Sequence, residues 1–214
     1  MTRSKVYGPP ESRRDRLFLI CGPLSMLLYL VFFVAADFLP SISPTASAEQ
    51  VASHYSQHKS GISAGVYLTA LVALLCPLYG VSIHHQLSRI PQVSQTALFL
   101  QLANACALGL VFCLIAMFFA AASYRPGRDP AITQLVNDLA WFCWGFCSGP
   151  LILQFCAISW AIFCDGRPRP LSTLTVIPRW VSWLCLVFPA WMLFPFFAHC
   201  VYSGPFAWDG AVSF

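Results

Sequence analysis

Residues 138–164 read DLAWFCWGFCSGPLILQFCAISWAIFC, and this stretch decides the fold. Residues 139–163 include no charged side chain. At a rise of about 1.5 Å per residue, a helix of this length crosses the roughly 30 Å hydrocarbon core of a bilayer. The stretch therefore predicts a membrane-spanning helix. We expect a break at Ser148-Gly149-Pro150, because proline cannot donate a helical hydrogen bond.

The composition extends this interpretation to the whole chain. Of the 214 residues, 58% are hydrophobic and 9% are charged, against roughly 25% charged in soluble domains. A soluble core could not bury so much apolar surface at this length, so we predict an integral membrane protein. The net charge is +4, but the sequence shows no solvated face on which basic residues cluster. This argues against nucleic-acid binding.

Four further apolar runs have the length of a membrane span: residues 17–39, 62–83, 96–122 and 178–202. The first run exceeds the 7–15 residues of a signal-peptide core, so we interpret it as a retained span. Residues 46–58 predict a short amphipathic helix capped by Thr45 or Ser47. Its Val51 and Tyr55 are four residues apart and are expected on the membrane surface.

The predicted fold is an all-α bundle of five transmembrane helices plus one short extracytoplasmic surface helix. Its predicted domains are a basic cytoplasmic tail (1–16), a transmembrane domain (17–202) and an extracytoplasmic tail (203–214).

The basic residues predict the orientation in the membrane. One side holds nine of them: Arg3, Lys5, Arg13, Arg14, Arg16, Arg89, Arg167, Arg169 and Arg179. The other side holds Lys59, Arg125 and Arg128. Because positive loops stay in the cytoplasm, we predict a cytoplasmic N-terminus and an external C-terminus. The expected location is the bacterial inner membrane.

The ten cysteines lie mostly inside apolar runs, where a thiol packs as a small polarizable group. Cys143 and Cys147 are four residues apart, but no matching Cys or His pair completes a zinc site. We predict no disulfide within the spans, because cysteines at different depths rarely reach the required Cα separation of about 5.5 Å.

Ionisable groups at membrane depth are costly and are often functional. Asp138 begins the fourth span one turn before Trp141, and the predicted topology brings other polar residues to the same outer end. We hypothesise an outward-facing pocket for an amphipathic ligand, formed by Asp138, Trp141, Trp144, Asp37, His199, Arg125 and Arg128. The alternative is that the acids lie in the interface and bond a neighbour.

The histidines do not predict a cofactor. His54 and His58 are four residues apart on the surface helix and are candidates for metal binding. Two imidazoles do not complete a site, and a solvated helix face is the alternative. His199 has no transmembrane histidine opposite it, which argues against haem. No cofactor or metal is therefore predicted.

Three segments resemble a family of uncharacterised small bacterial polytopic membrane proteins. They are Asp37-Phe-Leu-Pro40, the run PTASAEQVASHY at 44–55 with Gly61-Ile62, and Asn137-Asp138-Leu-Ala-Trp141. The resemblance implies several helices with a short outer helix after the first. It implies no activity.

No phosphate loop, nucleophile elbow or zinc-protease motif is present, so enzymatic chemistry has no support in the sequence. The first hypothesis is a non-enzymatic subunit or accessory of a larger membrane assembly, with lipid or an apolar ligand as its candidate ligand. The partners would be membrane lipids, other membrane proteins or a second copy. The alternatives are a small transporter or channel and, third, a membrane oxidoreductase.

Overall fold

A computed structural model describes residues 13–90, 92–125, 127–164 and 177–211. Seven α-helices follow one another: α1 (Arg13–Ala35), α2 (Ala48–Gln57), α3 (Lys59–Ser88), α4 (Gln95–Tyr124), α5 (Pro130–Phe146), α6 (Gly149–Phe163) and α7 (Arg179–Trp191). A 3-10 helix, Phe194–His199, comes after α7. Most of the predicted basic tail and the turn with Arg167 and Arg169 lie outside the described residues.

Within the described ranges, five segments are long and apolar enough to cross a membrane: Leu17–Ala35, Lys59–Ser88, Gln95–Tyr124, Pro130–Phe163 and Arg179–Phe197. The described part of the chain contains no strand. These findings confirm the all-α fold with five spanning segments and identify an integral membrane protein. The fourth span consists of α5 and α6, and its break falls at the expected place.

The surface helix α2 begins at a capping box. The Ser47 hydroxyl accepts from the Gln50 amide at 3.3 Å, and the Gln50 side chain accepts from the Ser47 amide at 2.8 Å. Ser47 is therefore the cap. Val51 and Tyr55 are only 2% and 3% exposed. They face the bundle rather than the membrane surface, because α2 packs against α5.

The fifth span differs from its predicted length. It was expected to continue as a helix to residue 202, but α7 ends at Trp191 and the chain continues as the 3-10 helix. Pro195 accounts for the change, because its nitrogen cannot donate to the Trp191 carbonyl. Tighter 3-10 turns often occur where a helix ends.

The helices pack in the order α1, α3, α4, with α4 contacting both α5 and α6, and α6 contacting α7. Close approach depends on small residues. A Cβ atom on Gly65 would lie 2.1 Å from the Phe32 ring, and one on Gly109 would lie 2.7 Å from the Ala73 carbonyl oxygen. These contacts hold α3 against α1 and α4.

The buried side chains form two clusters at opposite ends of the bundle. One is mainly aliphatic and includes Leu87, Ile90 and Leu98. The other is rich in aromatic rings and includes Phe32, Phe38 and Trp141. The second cluster marks the α2 end of the bundle, where α2, the last turns of α1 and α4, and the start of α5 meet.

Candidate functional site

Trp141 lies at the centre of the aromatic cluster and is 1% exposed. Its ring centroid is 5.6 Å from that of Phe38, 5.7 Å from that of Phe119 and 6.3 Å from that of Phe33. These are ordinary distances for packed aromatic pairs. Trp141 therefore joins the first, fourth and fifth α-helices to the loop after α1.

Asn137 organises the polar contacts around Trp141, and it is 1% exposed. Its Oδ1 accepts hydrogen bonds from Tyr55 Oη at 3.0 Å and from Trp141 Nε1 at 3.2 Å. Its Nδ2 donates to Asp138 Oδ1 at 3.3 Å. Burial raises the pKa of the Tyr55 phenol well above its usual value, and the negative charge of Asp138 raises it further.

The sequence hypothesis did not include Asn137 in the pocket. The sequence does contain a signal for Asn137: it lies four residues before Trp141, and this spacing places the amide and the indole on one helix face. Asp138 itself is half-buried beside this network.

Trp144 borders a different feature, a narrow apolar crevice. The crevice lies between α5, the 3-10 helix and the C-terminal segment, and is lined by Trp141, Phe142, Trp144, Gly145, Phe146, Pro195 and Trp208. The Trp208 indole donates to the Ile42 carbonyl at 2.8 Å, which ties the C-terminal segment to the loop after α1.

His199 lies at the end of the 3-10 helix and is exposed. Its Nδ1 is 2.7 Å from the Phe196 carbonyl oxygen, and its Nε2 is 3.2 Å from Cys200 Sγ. Its ring lies 5.0 Å from that of Phe146. These contacts place it near the crevice rather than beside the Asn137 network.

Arg125 and Arg128 line a polar cleft, together with Lys59. We call this feature the basic cleft. Its other lining residues come from α2, the end of α4, the connection after α4 and the start of α5: Ala52, Tyr55, Ser56, Ala122, Ser123, Gly127 and Thr133. The structure thus brings into one cleft the three cations that the sequence predicts on one side of the membrane.

The basic cleft has no acidic residue in its lining. Arg128 Nη1 donates to the Ala121 carbonyl at 3.0 Å, and the Arg125 guanidinium lies 5.9 Å from the Tyr124 ring centre. Among the described residues, none of the cleft's three cations has a carboxylate oxygen within 4.0 Å. Acids do occur at the same end of the bundle: Asp37, Glu49, Asp129, Asp138 and Asp209.

Asp37 lies with His54 and His58 in what we call the His-Asp cluster. One ligand-capable atom from each of the three side chains lies within 4.8 Å of the other two. His58 Nε2 is 3.5 Å from Asp37 Oδ2, and His54 Nε2 is 3.0 Å from the Ala36 carbonyl oxygen. Burial lowers the pKa of the His54 imidazole, although the Ala36 hydrogen bond opposes this shift.

The residues of the hypothesised pocket are therefore distributed over neighbouring features of the α2 end. Trp141 belongs to the core with the Asn137 network beside it, and Trp144 borders the crevice. Arg125 and Arg128 belong to the basic cleft, and Asp37 to the His-Asp cluster. In comparisons with protein-family models, curated proteins and solved structures, nothing matches this chain. The family resemblance therefore stays a prediction, and the fold defines an integral membrane protein.

Proposed function

We propose that this protein is a non-enzymatic membrane component that binds an anionic amphiphile in the basic cleft. The observation that carries the proposal is the convergence of Lys59, Arg125 and Arg128 on one cleft without a carboxylate partner among the described residues. The ligand class is a phospholipid whose phosphate lies between these cations.

The electrostatics favour an anion. Like charges around one cleft repel each other, and a bound anion offsets this repulsion. Guanidinium groups present paired donors that match phosphate oxygens, and a lysine adds a point charge. Arg128 is held in place by its bond to the Ala121 carbonyl, so less conformational freedom is lost on binding.

The surroundings suit an amphiphile better than a free anion. Ile132 and Leu135 lie on the first two turns of α5, the helix that contributes Thr133 to the cleft, and they are 49% and 59% exposed. They offer an apolar surface for acyl chains. The distribution of basic residues favours an external α2 end, so the cleft would take its ligand from the outer leaflet. The resemblance to small bacterial polytopic membrane proteins supports the bacterial inner membrane as the location.

Membership of a larger assembly is supported by the outer surface of α7. Trp180 and Trp183 are 63% and 62% exposed on one short helix. Indole rings are favoured at helix–helix contacts and at membrane interfaces. A partner helix covering this surface would be recovered with the protein after extraction in mild detergent.

Native mass spectrometry tests lipid binding directly. The purified protein is mixed with phosphatidylglycerol or phosphatidylcholine of the same chain length. We expect preferential retention of phosphatidylglycerol, and loss of this preference in the triple variant Lys59→Gln, Arg125→Gln, Arg128→Gln. The double variant Arg89→Gln, Arg179→Gln is the matched control, since it removes charge near the opposite end. Equal retention of both lipids by the unmodified protein would overturn the proposal.

A further inference from the structure

The His-Asp cluster joins three segments of the α2 end. Asp37 follows α1, His54 lies in α2, and His58 lies between α2 and α3. The side chains differ in access to solvent: the Asp37 side chain is 63% exposed and that of His58 is 35% exposed. An ion from solution can therefore reach the cluster without opening the bundle.

The local structure orients all three groups. Asp37 has a φ of 53°, a left-handed conformation that few non-glycine residues adopt and that Asp tolerates. His54 stacks on Phe38 with a centroid distance of 5.3 Å, and its ring lies 4.6 Å from that of His58. The Nε2 atom of His54 is also within hydrogen-bond distance of the Ala36 carbonyl oxygen. Carbonyl acceptors of this kind fix the tautomer and orientation of metal-bound imidazoles.

We propose that Asp37, His54 and His58 form a binding site for a divalent transition-metal ion, with Zn²⁺ as the best match. Two imidazoles and one carboxylate are ligands that Zn²⁺ accepts, with water in the remaining position. Mg²⁺ and Ca²⁺ prefer an all-oxygen set. The inference uses residues outside the basic cleft and does not rest on the proposed function.

The geometry requires only a small adjustment. Zinc–nitrogen distances of about 2.0–2.1 Å put tetrahedral ligand atoms about 3.4 Å apart, against the limit of 4.8 Å within the cluster. His58 Nε2 and Asp37 Oδ2 are already 3.5 Å apart, so the remaining adjustment falls on the distances to His54. The bound ion would then tie the end of α1 to α2 and to the start of α3.

The bound ion would restrict the movement of α2 relative to α1 and α3. Tyr55 and Ser56 line the basic cleft from this same helix, one and two residues after His54. Metal binding at the His-Asp cluster would therefore hold in place the helix that forms one wall of the cleft.

Calorimetric titration with Zn²⁺ tests the site. The protein is purified through a histidine-free tag, stripped of metal and kept reduced. We expect one tight equivalent, weakened at least about tenfold by Asp37→Asn and by His58→Gln. His85→Gln and Cys200→Ser are matched controls that leave binding unchanged. Asp37 is exposed and Asn tolerates its backbone conformation, so Asp37→Asn is expected to fold.

Cobalt substitution distinguishes this site from the cysteines. Co²⁺ held by imidazole and carboxylate gives visible d–d bands without the near-ultraviolet charge-transfer band of a cobalt thiolate. We expect the d–d bands alone, and we expect Zn²⁺ to displace them. A thiolate band, the absence of a tight equivalent, or binding that survives both Asp37→Asn and His58→Gln would overturn the proposal.

Discussion

Tyr55 donates a hydrogen bond of 3.0 Å to Oδ1 of Asn137, which lies 82 residues further along the chain. The bond joins the surface helix α2 to the spanning segment that begins with α5. Trp141 donates to the same oxygen, so one buried amide couples α2 to the aromatic cluster. This coupling positions α2 and therefore one wall of the basic cleft.

Replacing Tyr55 by Phe removes one of the two donors to Asn137 Oδ1. We expect the free energy of unfolding in detergent to fall by about 1 kcal/mol, the usual net value of a hydrogen bond, because Trp141 still satisfies the oxygen. Tyr67→Phe is the matched control, since Tyr67 is 74% exposed. It should change stability by less than about 0.5 kcal/mol. Equal effects of the two substitutions would contradict the role given to this bond.

Alkaline pH should also destabilise the protein through Tyr55. Burial raises the pKa of this phenol in the folded state, so its contribution is fully present below the unfolded value of about 10. Above that pH the unfolded chain loses the proton first, and stability falls until the folded pKa is reached. Denaturant titrations across this range should show a smaller decline for Tyr55→Phe than for the unmodified protein. Parallel declines would contradict the prediction.

Replacing Asn137 by Leu should lower the free energy of unfolding by more than removing Tyr55 Oη does. The substitution leaves the Tyr55 hydroxyl and the Trp141 indole without their shared acceptor, at about 1–3 kcal/mol for each buried group. Asn104→Leu is a suitable control, because within the described residues the Asn104 amide donates to the Leu100 carbonyl of its own helix and to no other helix. Thermal unfolding of the two variants in one detergent makes the comparison. A smaller loss for Asn137→Leu than for Asn104→Leu would rule out the network.

Two native cysteines test the orientation in the membrane. Cys164 directly follows the last residue of α6, and Cys200 follows His199. Both cysteines are exposed. The positive-inside rule predicts that a membrane-impermeant maleimide labels Cys200 on intact cells and labels Cys164 only after lysis. Cys200→Ser and Cys164→Ser assign the signals. Labelling of Cys164 on intact cells would reverse the proposed orientation.

The sequence was sufficient to predict the fold class and the bounds of α2 and α4 to within two residues, because span length and caps depend on local composition. Ser47 followed by Gln50 specifies the start of α2 without tertiary information. The end of α7 was missed because two prolines separated by five ordinary residues leave an apolar run that still looks helical. The average hydrophobicity of this run does not show that Pro195 lacks the backbone N–H that a continuing helix needs.

The candidate site was less predictable, because a spanning helix is apolar on every side and its pattern does not reveal which face is buried. Trp141 and Trp144 are three residues apart, yet only the first lies in the core. The sequence predicts Lys59 on the same side of the membrane as Arg128, but their meeting in one cleft depends on the packing of α2. The meeting of Asp37 with His54 and His58 likewise depends on the turn after α1.

Site-directed photocrosslinking tests the central claim, that the basic cleft holds an anionic phospholipid. A photoreactive phenylalanine analogue is placed at Ser56, in the cleft lining, or at Tyr67, on the exposed surface of α3. Protein in nanodiscs of mixed phosphatidylglycerol and phosphatidylcholine is irradiated, and the adducts are identified by mass.

We predict mainly phosphatidylglycerol adducts at Ser56, and loss of this enrichment when Lys59, Arg125 and Arg128 are replaced by Gln. Adducts at Tyr67 should follow the bulk lipid composition in both proteins. Adducts at Ser56 that match the bulk composition, or that keep their enrichment without the three cations, would contradict the account.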